Sequence, residues 1–226
     1  MNTDVILLPG LHGSTALFDP FIRLSPPWAR SLPVALPTDG DQSFESLADQ
    51  LEKKLRAFEG FVLFAESFAG PIAARLAQRL GSKVALLVLC NPLVEAPVSI
   101  APFFAARLLQ SKLVPASLVA HMMTGGDRPL ARSVLHEVRS LRKDVLENRL
   151  AVACSVGRED FASRLAAPVL GIVGSQDRLV TPAVFQDVLS RVEHAARASI
   201  VAPHLIAQVA PAAVWAAINA EFLRAA

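Results

Sequence analysis

The chain has 226 residues, 53% of them hydrophobic, with 22 Lys and Arg against 20 Asp and Glu for a formal net charge of +2. That length suits one α/β domain with an insertion, the near-balanced charge gives no basis for nucleic-acid binding over the whole chain, and no apolar run approaches the roughly 18 residues of a membrane span. Two cysteines, Cys90 and Cys154, read as reduced thiols of a cytoplasmic protein in preference to a disulfide, and the start Met1-Asn2-Thr3-Asp4 lacks the basic region of a secretory leader.

In chain order, short β-branched or wholly apolar runs alternate with segments of helical period. Strands are expected at Val5 to Leu8, Val34 to Leu36, Phe61 to Ala65, Val84 to Cys90, Val169 to Val173 and Ser199 to Val201. Helices are expected between and after them at Phe44 to Phe58, Phe68 to Leu80, Pro182 to Val192 and Pro211 to Leu223. A run such as Val84 to Leu89, apolar at every position, suits a strand covered on both faces, so the alternation predicts a mostly parallel sheet flanked by helices. From about Glu95 to Ala166 no strand is expected, and three helical patterns follow one another: Pro102 to Leu113, Pro115 to Met123 and Pro129 to Ser155. The chain therefore divides into a core, 1–94 with 167–226, and a helical insertion, 95–166.

The densest chemical signal is Ala65-Glu66-Ser67-Phe68-Ala69-Gly70, which follows an apolar run and opens a helix. A serine on a sharp strand-to-helix turn is lifted clear of the sheet, with a helix N-terminus beneath it that favours negative charge. Small residues two before and two after it keep the turn free of collisions. The other reading of this serine is an ordinary helix N-cap.

This motif resembles the nucleophile elbow of the α/β-hydrolase family, G-x-S-x-G, with Ala65 and Ala69 at the glycine positions and Gly70 following. Two later segments resemble the same family. Pro168 to Pro182, PVLGIVGSQDRLVTP, is similar to the loop that carries the family's acid, which falls on Asp177; Pro203-His204, after the last strand, falls where the family has its histidine. The order Ser67, Asp177, His204 is the family's order. Glu95, just beyond the fourth strand, is the alternative acid. Near the N-terminus, Pro9-Gly10-Leu11-His12-Gly13-Ser14 takes the place of the family's His-Gly turn. The resemblance implies an oxyanion hole from the backbone N–H groups of Leu11 and Phe68, no cofactor, no metal, and cleavage of an acyl ester through an acyl-enzyme. Thioesterase, lactonase and triad-using lyase chemistry, or a ligand receptor without catalysis, are the alternatives on the same fold.

In the family the insertion is a cap over the site. Phe103, Phe104, Leu108, Leu109, Leu118, Met122 and Met123 supply apolar side chains for its lining, and His12 lies in the oxyanion loop where it can meet substrate; each can equally pack internally. The third insertion helix carries an apolar stripe, Leu130, Val134, Val138, Leu141 and Val145, and a basic row, Arg132, His136, Arg139 and Lys143. Such a row offers a dock for an acidic partner such as acyl carrier protein; the plainer reading is a solvated face tempered by Asp144 and Glu147. The short, cap-bearing form is similar to small bacterial carboxylesterases, among them the methyl ester esterase acting on carrier-linked pimeloyl groups in biotin synthesis.

Overall fold

A computed structural model describes residues 2–96, 102–161, 165–193 and 195–225. His194, which has no motif context in the sequence and is expected at the surface or in the cap, lies outside them. Six strands, β1 (Thr3–Leu8), β2 (Ala29–Pro33), β3 (Phe61–Glu66), β4 (Val84–Cys90), β5 (Val169–Gly174) and β6 (Ala195–Ile200), form one parallel sheet in the order β2-β1-β3-β4-β5-β6. The helices are α1 (Asp19–Ile22), α2 (Phe44–Leu55), α3 (Ala69–Leu80), α4 (Pro102–Gln110), α5 (Ala116–Val119), α6 (Arg128–Ser140), α7 (Lys143–Cys154), α8 (Pro182–Ser190), α9 (Ile206–Val209) and α10 (Pro211–Ala225).

The period of two along each strand sorts side chains into two layers. On β3, Phe61, Leu63 and Ala65 join one apolar cluster, with α2, α3 and α8, while Val62 and Phe64 join the other, with α1, α9 and α10. A bulge at the start of β4 pairs Phe61 with Val84 but Val62 with Leu86, so the extra residue Ala85 is absorbed and Leu87 and Leu89 still reach the first layer. Helix α2 buries Phe44, Leu47, Ala48, Leu51 and Leu55, one stripe of a 3.6-residue period, and the hydroxyl of Ser43 accepts from the Ser46 N–H to cap its start. In the second layer Trp215 stacks on Phe21 and donates its indole N–H to the Phe21 carbonyl.

Three expectations change. The strand placed at Val34 to Leu36 is Ala29–Pro33: this edge strand pairs on one side only, with Thr3 to Leu7, so it needs no apolar run and shows none. The last strand starts earlier, at Ala195, for the same reason. The long helix placed at Pro129 to Ser155 is two helices, because Leu141 and Arg142 both have ψ near 144° and break the ladder. No helix among the described residues is long and apolar enough to cross a membrane.

Strand order reverses between β1 and β3, since the chain goes from β1 outward to β2 and then returns past β1 to β3. In open parallel sheets that reversal leaves a crevice beyond the carboxyl ends of the strands. The loops after β1, β3, β5 and β6 all open there, and they hold every core residue singled out by motif. Helices α4 to α7, between β4 and β5, lie across the same end.

Candidate functional site

Ser67 follows β3 directly with φ of 52°, a left-handed conformation that a side-chain-bearing residue adopts at a cost of roughly 1–3 kcal/mol. The surroundings hold it there. Its N–H donates to the Cys90 carbonyl at 3.1 Å, and its own carbonyl accepts from Gly70 and Leu93, each at 2.9 Å. Gly70 is required by close approach, because an added Cβ would overlap the Pro92 side chain. Gly10 approaches from the loop after β1, where a Cβ would just touch that of Ser67 at 3.5 Å.

The Ser67 hydroxyl lies 2.9 Å from Nε2 of His204, and Nδ1 of His204 lies 2.8 Å from Oδ2 of Asp177. A carboxylate only accepts, so Nδ1 carries the imidazole proton and Nε2 is left to accept from the serine. Asp177 is itself fixed: its Oδ1 accepts from the N–H groups of Leu179 at 2.8 Å and Val180 at 3.1 Å. His204 and Asp177 are buried. Glu95 makes no hydrogen bond to His204; the imidazole is held by Asp177.

The N–H groups of Leu11 and Phe68 donate to no other described residue. Two unpaired backbone donors on either side of the serine provide what a developing oxyanion needs. Between them opens a cavity of about 270 Å³ whose wall is almost wholly apolar. Its floor is Ser67, Phe68 and His204; its roof is Leu108, Leu109, Met123, Val134, Val138 and Leu150 from the insertion.

His12 also lines the cavity. Burial pushes its imidazole down to about 4, partly opposed by Glu137 and helped by the Arg149 cation, so it is neutral near pH 7. Its Nδ1 accepts from the Ser14 N–H, leaving Nε2 as the donor. Of the other lining residues expected from sequence, Leu108, Leu109 and Met123 reach the cavity, and Phe103, Phe104, Leu118 and Met122 do not. Helix α4 turns Ala105, Leu108 and Leu109 inward, so Phe103 and Phe104 meet edge-to-face on its outer side, where Phe104 is 63% exposed.

The break between α6 and α7 separates Lys143 from Arg132, His136 and Arg139, which stay together on α6. Arg139 turns inward and donates to the carbonyls of Leu109, Ser111 and Val114, closing the C-terminal end of α4. Lys143, on α7, pairs with Glu147 and sits over the Phe103 ring. Arg132 and His136 stand exposed on α6, with no side-chain partner among the described residues.

Two residues of the site region escaped sequence reasoning. Asn91 is buried with φ of 40°; its amide donates to the carbonyls of His204 at 2.8 Å and Pro203 at 3.3 Å and accepts from the Gly174 N–H at 2.8 Å. It ties the ends of β4 and β5 to the histidine loop. The only local signal is a polar residue and a proline ending an apolar strand. The second, Arg149, is treated below.

Glu66 points away from the cavity, as the alternation along β3 requires, into the layer of α9 and α10. Burial pushes its carboxyl up to about 7, against lowerings by Gln208, which donates to Oε2 at 3.0 Å, by the His204 charge and by the Ala207 backbone. The folded chain thus holds a proton that the unfolded chain releases above about pH 4.5. Stability from this group is complete below that pH and is lost as pH rises through about 7, a change of about 3 kcal/mol. Glu66→Gln removes the titration, so its stability relative to wild type should improve by about that amount between pH 4.5 and 8 in denaturant melts. A difference that stays flat over that range would mean the carboxyl ionises normally.

No protein-family model matches the chain, and no curated protein sequence matches it. Solved structures do. A bromoperoxidase from Bacillus anthracis superposes with a TM-score of 0.85 at 12% identity, over 99% of this chain and 92% of that one. A thermophilic esterase from Thermogutta terrifontis gives 0.81 at 17% identity, over 100% and 91%. The enol-lactonase from Burkholderia xenovorans LB400 gives 0.78 at 18% identity, over 99% and 92%. The chain has the α/β-hydrolase fold, with the helical insertion after the fourth strand.

Proposed function

We propose that the chain is a serine hydrolase that cleaves carboxylic esters of small, apolar acyl groups. One observation carries this reading: a serine held at positive φ shares its hydroxyl with a histidine whose other nitrogen is held by a buried aspartate, at 2.9 and 2.8 Å, on the floor of an apolar cavity.

In the proposed mechanism His204 takes the Ser67 proton as Oγ attacks the ester carbonyl. Asp177 keeps the imidazole in the tautomer that can accept that proton and stabilises the imidazolium formed. The carbonyl oxygen becomes an oxyanion facing the Leu11 and Phe68 amides. Collapse of the tetrahedral intermediate breaks the bond to the leaving alcohol, which takes the proton from His204 and leaves an acyl-serine. Water then attacks that ester, giving its proton to His204, and release of the acid returns the proton to Ser67. Residues 95–166 act as a cap on the core of 1–94 and 167–226, excluding bulk water from the acyl-enzyme and shaping the acyl site.

A cavity of about 270 Å³ is at the small end of ligand pockets, so the acyl part is short to medium in length. Among the described residues the lining has no cation aimed at the serine and His12 is neutral, which favours uncharged acyl groups. The likeness to an esterase and an enol-lactonase agrees with ester or lactone chemistry. A carrier-linked substrate is the less supported reading, because Arg139 of the expected docking row is spent inside the insertion. A panel of p-nitrophenyl esters tests the proposal: kcat/KM should peak within about eight acyl carbons, since a longer chain overfills the cavity. Steadily rising activity with longer chains would place the acyl group elsewhere.

A further inference from the structure

Helix α7 carries one residue out of keeping with its face. Val145, Leu146, Leu150 and Ala153 are buried against the rest of the molecule, and among them Arg149 is buried completely. Its guanidinium has no carboxylate within ion-pair distance among the described residues. It donates instead to three neutral acceptors, each at 2.9 Å: Nη1 to the Leu11 carbonyl, Nη2 to the Pro37 carbonyl, and Nε to Oε1 of Gln42. Gln42 is itself oriented by donating its amide to the carbonyls of Gly40 and Asp39. The core leaves room for the group: a Cβ on Gly13, which has φ of 70°, would overlap the guanidinium.

A buried cation without a counter-ion is expensive, and a leucine or methionine would pack α7 more cheaply. What the guanidinium alone supplies is a planar fork that grips several carbonyls at once. One of those carbonyls belongs to Leu11, whose own N–H is unpaired and flanks Ser67. The loop from Gly10 to Ser14 has few other restraints: Gly13 N–H to Gly10 O, Ser14 N–H to His12, Ala16 N–H to the Ser14 hydroxyl, and Leu36 N–H to Gly13 O. The Leu11 N–H lies in the Gly10–Leu11 peptide, whose carbonyl accepts from Gly13 at 2.9 Å, and Arg149 holds the next peptide through the Leu11 carbonyl, so the planes on both sides of the Leu11 Cα are restrained and the N–H has little freedom to swing away.

We propose that Arg149 is a positioning residue for the oxyanion loop: reaching from the insertion into the core, it grips the Leu11 carbonyl and thereby aims the Leu11 N–H at the oxyanion. Seating of the helical segment and assembly of the oxyanion hole are then one event. Burial pulls the guanidinium down to about 10, so it remains a cation at neutral pH, and its charge is felt at the cavity, where it depresses His12.

The inference rests on the esterase reading, and the test separates the two. Arg149→Met and Arg149→Lys are made in the full chain and checked for folding by circular dichroism and thermal melts. For a short neutral ester, kcat should fall by about 100- to 1000-fold in the methionine variant, the loss typical of one oxyanion donor, with KM changed less than about threefold. Lysine, which can hold one carbonyl, should recover part of the loss. Inhibition by a trifluoromethyl ketone, whose hemiketal places an oxyanion in the hole, should weaken in parallel with kcat/KM, while binding of the corresponding alcohol is unchanged. Amide hydrogen exchange over residues 9–15 should accelerate in both variants. A folded methionine variant with kcat within about threefold of wild type, or a loss confined to KM, overturns the proposal. If methionine prevents folding, the lysine variant decides by the same criteria. If the wild type hydrolyses no ester, the esterase reading fails by itself, and unchanged exchange at 9–15 in a folded variant overturns the grip on the loop.

Discussion

Ser67→Ala should lower kcat for a short acyl ester by about 10⁴- to 10⁶-fold, to the level supplied by binding and the oxyanion donors alone. The substitution deletes one oxygen, that accepts no hydrogen bond from the fold and gives one only to His204. The backbone that holds the residue at φ of 52° is anchored through Cys90, Gly70 and Leu93, none of which touches the hydroxyl. Unfolding free energy should therefore stay within about 1 kcal/mol of wild type. Steady-state hydrolysis beside a denaturant melt measures both, and a folded mutant that turns over near the wild-type rate would remove Ser67 from the mechanism.

Asp177→Asn should be nearly as severe, about 10⁴-fold in kcat. The carboxylate accepts from His204 through Oδ2 and from the Leu179 and Val180 N–H groups through Oδ1. In the asparagine variant the carbonyl oxygen stays with the two loop amides, which can only donate, and the NH₂ group faces Nδ1. The imidazole then protonates on Nε2 and can no longer accept from Ser67. Glu95→Gln, which alters no hydrogen bond to His204, should change kcat by less than about threefold; a crippled Glu95→Gln beside a mild Asp177→Asn would reverse the assignment.

The parts of the site legible in the sequence are those whose physics is local. Ser67 could be singled out because the strand, turn and helix around it leave an imprint within a dozen residues, whereas Asp177 and His204 were pointed to only by the resemblance of their loops to those of the family. The parallel core was legible for a similar reason: strands covered on both faces must be apolar at nearly every position. Edge strands β2 and β6 need not be, and they were misplaced. Leu141-Arg142 contains neither glycine nor proline, so the break between α6 and α7 left no mark, and Lys143, placed on one helix with Arg132, His136 and Arg139, stands on the next. Arg139 illustrates the same limit: its fate is set by carbonyls 25 to 30 residues away. Asn91 and Arg149 owe their roles to partners more than 80 residues distant, which no periodicity or motif reports.

The central claim, that Ser67 is a nucleophile activated by His204, is tested most directly by covalent labelling. A fluorophosphonate probe reacts when an activated serine oxygen attacks phosphorus and expels fluoride, and it needs no knowledge of the acyl substrate. Intact-mass and peptide mapping after incubation at neutral pH should show one adduct on the peptide carrying Ser67, lost in Ser67→Ala and slowed by orders of magnitude in His204→Ala. A folded wild-type chain that takes no label, or one labelled equally when His204 is replaced, would contradict it.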